Sequence, residues 1–289
     1  MLPAVQVLQC LGTLNAIRYR EDMSMVVEVQ EAWYDAIRKR RSRRSFASGL
    51  TQEELDRMQA FCETVKSSSE GVRIVLVDKS DTSVFTGAVG PIGKIQGTRS
   101  FAAFIGNTKD PHVYEKVGYM GEAFILEAAA AGIDTCWVSG LFSKEKVGSL
   151  VKLKKDEDVY AVTPLGHAKT SYTLGERLLC QVLGSRKRKD LESMCVGLKM
   201  ESRPDWLQCA LEAARLAPSA KNRQPWKFHV TDDAVQVSVA GDNSQKDRDG
   251  KRLDCGIAML HLELGALHKK AKGNWKFLEP PEVAVFEKL

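Results

Sequence analysis

Apolar residues recur at three- and four-residue steps at Val26, Val29, Trp33 and Ile37, which predicts an amphipathic helix. The helix runs into a basic stretch, "RKRRSRRSF" (38–46), and cations there suit the negative end of a helix dipole. "LTQEELDRMQAFCETV" predicts a second helix: Thr51 and Glu54 have the spacing of a capping box, and Leu55, Met58, Cys62 and Val65 form its apolar stripe. "VRIVLV" (72–77) and "FAAFIG" (101–106) have the length and apolar content of strands, and the glycine-rich "FTGAVGPIGKIQG" between them is loop. "HVYEKVGYMGEAFILEAAAAG" (112–132) is almost wholly apolar in its second half, so it should run through the middle of the core. A short strand over 133–140 ending at a glycine turn, a short helix "SKEKVGSLVKL" and a strand over 158–166 follow, and then a polar, basic connector, 167–194.

A second set of elements begins near Pro204. "PDWLQCALEAARLAPSA" reads as a helix with proline near its first turn and a stop at Pro218. "PWKFHVT" and "AVQVSVA" read as a hairpin about Asp232 and Asp233, and "RLDCGIAMLHLELGALHKKA" as a second apolar helix. The two apolar helices resemble one another: Gly121, Ala123 and Glu127 in one, Gly256, Ala258 and Glu263 in the other. Small residues two apart at a helix start let another backbone approach, and the repeated order of elements points to two related halves.

Composition narrows the function. The chain is 44% hydrophobic and 27% charged, an ordinary globular balance, and 42 basic against 37 acidic residues leave a net charge of only +5. That is too little for a protein that coats nucleic acid, so the basic run is a local feature. Seven scattered cysteines, with no CxxC or Cys/His ligand spacing, predict reduced thiols and no metal site. No apolar run reaches membrane-spanning length, and residues 1–22 lack the marks of a signal peptide, so they read as an extension outside the fold. The expectation is a cytoplasmic protein with a small-molecule substrate and neither a membrane nor a nucleic-acid partner. His112, His167, His229, His261 and His268 are scattered, so no general base and no catalytic side chain is assigned, and no GxGxxG marks a separate dinucleotide domain.

Chemistry concentrates in two places. In "APSAKNRQPW" (217–226) a helix stops at proline, and Ser219, Asn222 and Gln224 then supply hydroxyl and amide groups. Such a strip either presents donors and acceptors to a planar heterocycle or is a polar helix-to-strand loop. The basic run is either a phosphate clamp or a solvated helix end that could bind RNA. The absence of interleaved aromatic residues speaks against RNA.

"RRSRRSF" (Arg40 to Phe46) resembles the RRSxRxF opening of the nitroreductase family of FMN-dependent oxidoreductases, and "APSAKNRQPWKF" resembles that family's APSxxNxQPWxF segment. "GIDTCWVSGLF" is similar to its stretch beside the flavin ring, "VTPLGHAK" to its last strand and "SRKRKDL" to its late basic phosphate contact, so the resemblance spans roughly residues 26 to 270. It implies an α+β nitroreductase-like fold. The usual member is a homodimer whose two interface flavins each take the RRS segment from one subunit and the APSxxN segment from the other. Here one chain carries each segment once, in opposite halves. The resemblance therefore implies an internal pseudo-dimer, monomeric in solution, with central sheets flanked by helices and a single surviving flavin site. Its first half would cover 23–195 and its second 196–289.

Carried over position by position, the resemblance implies that Arg40, Arg41 and Ser42 hold the FMN phosphate or ribityl chain, joined by Arg186 and Arg188 from the connector. Arg44 would lie near the N1 and C2=O edge of the ring. Trp137, Val138, Ser139 and Gly140 would form the strip whose backbone N–H meets N5. Pro218, Ser219, Ala220 and Asn222 would close the site from the second half, while Arg38, Lys39 and Arg43 face water. The implied activity takes hydride from NADH or NADPH and reduces a nitroaromatic or quinone by a ping-pong mechanism. The alternative is a degenerate flavin-binding sensor or interaction module without turnover. Segments 84–99 and 241–250 carry no signature of the acceptor.

Overall fold

The apolar helix expected at the centre of the chain is present, and a second one crosses it. The computed structural model describes residues 28–69, 71–80, 82–85, 94–185, 187–241 and 245–289. The extension 1–22, Val26 and Arg186 lie outside the described residues.

The first half opens with α1 (Ala32–Lys39), β1 (Phe46–Ser48) and α2 (Gln52–Ser68), the last with the expected capping box at Thr51 and Glu54. It continues with β2 (Val72–Val77), β3 (Ser100–Asn107), α3 (Val113–Ala130), β4 (Asp134–Thr135), α4 (Lys144–Val151) and β5 (Glu157–Ala168). These strands form an antiparallel sheet in the order β1-β5-β3-β2, with β4 added to β5. After α5 (Leu174–Val182) come β6 (Cys195–Gly197), α6 (Asp205–Arg215), β7 (Trp226–Val230), β8 (Ala234–Val239), α7 (Gln245–His268), β9 (Gly273–Phe277) and β10 (Glu282–Lys288). Their sheet has the order β6-β7-β8-β10-β9.

The two halves repeat one plan. The antiparallel path β2-β3-β5-β4 is matched by β7-β8-β10-β9, and the long helix lies after the second strand in both, α3 in one and α7 in the other. α3 and α7 pack on one another with reciprocal contacts. A Cβ on Gly118 would strike the Leu253 carbonyl, and a Cβ on Gly256 would strike the Glu115 carbonyl. Glu115 precedes Gly118 by the same step as Leu253 precedes Gly256, so the crossing is self-complementary in the manner of a two-fold interface. The same repeat spacing relates Trp137 to Trp275, the last helical residues Ala130 and His268, and the left-handed residues Gly132 and Lys270. The fold is thus α+β, built from two related halves around one shared helical seam.

The pairing of the helices differs in register from the expectation. Gly256 does meet a backbone, but its counterpart is Gly118; Gly121 instead makes room for the Trp137 ring. Small residues alone do not fix register, because several of them share one face of α3. The 133–140 strand is reduced to β4 and a single bridge from Val138 to Val162. α5 forms inside what reads as connector, started by a Thr173–Glu176 capping box, and the short strands β1, β6, β9 and β10 have no counterpart in the pattern analysis. The described cysteines are free thiols.

The crossing predicts a sharp cost for added bulk. Gly118→Ala or Gly256→Ala should lower stability by about 1–3 kcal/mol in denaturant unfolding, because backbone cannot yield as a side-chain tip can. Gly250→Ala, at a helical position with nothing within 4 Å, should be neutral or slightly stabilising.

Candidate functional site

A cleft of 670 Å³ opens where the basic run meets the second half. α1 ends at Lys39, and the chain beyond Arg40 is extended, so its side chains alternate. Ser42 and Arg44 face the cleft, while Arg43 and Ser45 point inward and are buried. Arg43, expected to face water, therefore lies 8% exposed, with Nη2 donating to the Lys169 carbonyl at 2.6 Å, Nε 3.4 Å from Glu176 Oε1 and the guanidinium 4.5 Å from the Tyr172 ring centroid.

Glu176 anchors this segment. One oxygen accepts from the backbone N–H of Arg44 (2.9 Å) and Ser45 (3.3 Å), while the other accepts from Thr173 N–H (3.0 Å) at the start of α5. Burial pushes its carboxyl up, but the Arg44 and Thr173 N–H groups and the Arg43 charge together hold it below the usual carboxylate range. α5 is thereby fastened beside the cleft, which Tyr172, Cys180 and Leu183 help to line.

The facing wall comes from the second half. After α6 the chain passes Ser219 into a tight turn in which Lys221, Asn222 and Gln224 have positive φ. The Ala220 N–H donates to both oxygens of Asp254 on α7, at 3.0 and 3.2 Å. The left-handed turn ties two amides to the connector. Asn222 Nδ2 donates to the carbonyls of Gly184 (2.8 Å) and Lys187 (3.0 Å), and buried Gln224 accepts from Lys189 N–H at 2.8 Å. Gln224 does not line the cleft, so of the two readings of the strip it follows that of a polar helix-to-strand loop.

Arg188 joins the halves. Its guanidinium donates to Asn222 Oδ1 (3.2 Å) and the Leu216 carbonyl (3.1 Å). Burial lowers its pKa to about 10, aided by the like charges of Arg40, Arg215 and Arg41. Its Nε and that of Arg40 are buried without a hydrogen-bond partner, although Arg40 Nε stands 3.8 Å from Glu122.

Of the residues singled out in the sequence, Arg40, Arg41, Ser42, Arg44, Trp137, Ser139, Arg188, Pro218, Ser219, Ala220 and Asn222 line this one cleft. Val138 does not, because its N–H and carbonyl both pair with Val162 at 2.9 Å, and neither does exposed Gly140 at the bend beyond. Arg38, expected to face water, is exposed but lines the rim. Sequence reasoning missed Asp254, the sole acid among the described lining residues, beside six cationic ones. Its signal was an acidic side chain where the apolar stretch of a core helix begins. Glu122 and His261, behind the cleft, gave no local signal.

A family model described as "Putative TM nitroreductase" matches residues 32–266. Among solved structures, a "putative nitroreductase" from Thermotoga maritima aligns with a TM-score of 0.59 and 19% identity, over 93% of this chain and 97% of that one, a likeness of fold. An "FMN-dependent Nitroreductase" from Clostridium difficile aligns with 48% of this chain and 91% of its own length, at 16% identity and a TM-score of 0.39. A "Putative NADH dehydrogenase/NAD(P)H nitroreductase" from Bacteroides thetaiotaomicron aligns with 49% of this chain and 89% of its own, at 20% identity and a TM-score of 0.40. No curated protein sequence matches the chain.

Asp254 gives the cleft a pH signature. Burial pushes its carboxyl up to about 7, against the pull of the Ala220 N–H and the Arg223 charge. Between the ordinary aspartate range and about 7 the folded chain binds more protons here than the unfolded one, so this residue makes stability fall as pH rises through that window. Asp254→Asn keeps an acceptor for Ala220 and removes the titration. Its stability relative to wild type should rise by about 1–3 kcal/mol between about pH 5 and about pH 8, read from urea unfolding at each pH.

Proposed function

The chain belongs to the nitroreductase family of oxidoreductases, and we propose that it binds FMN in the cleft between its halves, takes hydride from NADH or NADPH and reduces a small nitroaromatic or quinone by a ping-pong mechanism. One observation carries the reading: the basic run and the 218–222 strip, far apart in sequence and contributed by opposite halves, line the same cleft. We read the chain accordingly as a one-chain counterpart of a two-subunit site, active as a monomer, with halves 23–195 and 196–289.

The residues present fit the cofactor. The cleft volume falls among those of small-molecule sites, about 300–1,000 Å³. Arg188 holds a buried Nε without a hydrogen-bond partner, and a phosphate oxygen would satisfy it. Bound FMN supplies the two-electron hydride chemistry. The chain does the rest. Arg40, Arg41, Ser42 and Arg188 bind phosphate and ribityl oxygens by charge-assisted hydrogen bonds. Arg44, whose side chain has no partner among the described residues, is assigned to the ring edge where negative charge gathers on reduction. Trp137 and Ser139 bound the ring from the first half, and Pro218, Ser219, Ala220 and Asn222 bound it from the second.

Purified protein should show the visible absorbance of oxidised flavin, bleached by NADH or NADPH without oxygen. The double variant Arg41→Ala/Arg44→Ala removes two cations whose side chains make no hydrogen bond or ion pair outside the basic run among the described residues. It should keep its melting temperature and weaken FMN binding by about 10- to 100-fold, read by flavin fluorescence titration. Flavin retained without bleaching would leave a binding module; failure to bind FMN would remove the enzyme reading.

A further inference from the structure

Glu122 is fully buried on α3, one layer behind the cleft. Its Oε2 accepts from Trp137 Nε1 at 2.6 Å, and its Oε1 lies 2.9 Å from His261 Nε2 and 3.8 Å from Arg40 Nε. His261, on α7 and equally buried, turns Nδ1 towards the Ala213 carbonyl at 3.2 Å. A carbonyl only accepts, so Nδ1 carries a proton. Nε2 faces a carboxyl, so a second proton lies between ring and carboxyl. The Trp137 N–H and the Arg40 guanidinium both turn donor groups to the same carboxyl that shares the ring's proton. Trp137 and Arg40 line the cleft and His261 does not, so the carboxyl is the end of the pair nearer the cleft.

We propose that Glu122 and His261 are a positioning pair for the flavin: they fix Trp137 and Arg40 in the cleft wall, and as carboxylate and imidazolium they form a dipole, negative end towards the cleft, that weakens the site's hold on the reduced, more negative flavin relative to the oxidised one. The proposal rests on the FMN reading above. It names two side chains from different halves acting on the ligand through two others. Three facts distinguish it from ordinary core packing. The carboxyl spends its hydrogen bonds on groups of the cleft wall and on one residue of the opposite half. The Trp137 ring is seated over Gly121, where a Cβ would collide with it, so its orientation is set from below as well as by Glu122. Arg40, which lines the cleft, has this carboxylate as its ion-pair partner.

Glu122→Gln separates charge from geometry. The amide oxygen still accepts from Trp137 and the amide N–H₂ donates to a now neutral imidazole, so the hydrogen bonds to Trp137 and His261 survive while the dipole and the Arg40 ion pair vanish. His261→Gln does the reverse, leaving the carboxylate without its cation. The measurement is the ratio of dissociation constants for oxidised and reduced FMN, taken anaerobically on the full chain. Near-UV circular dichroism of the flavin-free protein reports the tryptophan environment. Glu122→Gln should keep the tryptophan signal and favour reduced FMN by about three- to tenfold over wild type, and His261→Gln should shift the ratio the opposite way. A purely structural role would move both variants in one direction or neither. An unchanged ratio in folded Glu122→Gln overturns the proposal, whatever His261→Gln does. A wild-type chain that binds no FMN overturns the flavin reading instead, and the proposal with it, so the two failures appear in different samples.

Discussion

The close crossing of α3 and α7 is the constraint on which the site depends. Glycine at both contact points lets backbone meet backbone, and on each helix the functional side chains stand within a turn or two of that contact. On α3, Gly118 is followed by Gly121 under the Trp137 ring and by Glu122, which holds Trp137 and faces Arg40. On α7, Gly256 is flanked by Asp254, which holds Ala220, and by Leu253 and Ile257 in the cleft lining. The spacing of the helices therefore sets the distance between the basic wall and the strip that faces it. A widening by one methyl group at the seam acts on both walls at once, because α3 carries the support of one and α7 the support of the other.

Electrostatics gives the cleft its direction. Six of the described lining residues are cationic and one is acidic, and the acid is buried with its carboxyl pushed up to about 7. Arg188 is held among other guanidinium groups at a lowered pKa of about 10. Such crowding of like charge is unfavourable in the free protein and is relieved by an anion. Arg43 shows what the same run does where a carboxylate is available: it is pulled inward onto Glu176 and adds nothing to the cleft charge. Two neighbouring arginines thus serve opposite purposes, and the alternation of an extended chain separates them.

The sequence made visible what depends on local pattern. The Thr51–Glu54 capping box, the apolar α3, the hairpin of β7 and β8 and the two polar strips that meet at the cleft could all be read, because each signal lies within a few neighbouring residues. α5 carries the same capping-box signal at Thr173 and Glu176, but the surrounding lysines and arginines disguised it as connector. Register and long-range pairing were not legible. Gly118 and Gly121 are equally small, and only the packed helices distinguish them. Glu122 meets His261 across more than half of the described chain, and no spacing rule links a carboxylate on one core helix to an imidazole on another. Gln224 looked like a ligand-facing amide because composition does not reveal a left-handed turn that points it elsewhere.

The repeat also explains why the two ends of the seam differ. One repeat spacing from Asp254 and Leu253 on α7 stand Lys116 and Glu115 on α3, and one spacing from Ser139 stands Phe277. Those counterparts are closed upon themselves. Glu115 is bonded to Arg252 and lies 3.4 Å from His112, Lys116 reaches Asp110 at 2.5 Å, and His112 stacks on Phe277 with ring centroids 4.8 Å apart. Each buried charge in this group has a counter-ion from the chain, where the cleft has a surplus of cations facing open space. A buried polar seam is tolerable only if its charges are matched. The chain matches them internally at one position, and at the other leaves a surplus of cations facing open space, which is the physical reason a nearly symmetric framework presents one open cleft here and a self-paired cluster there.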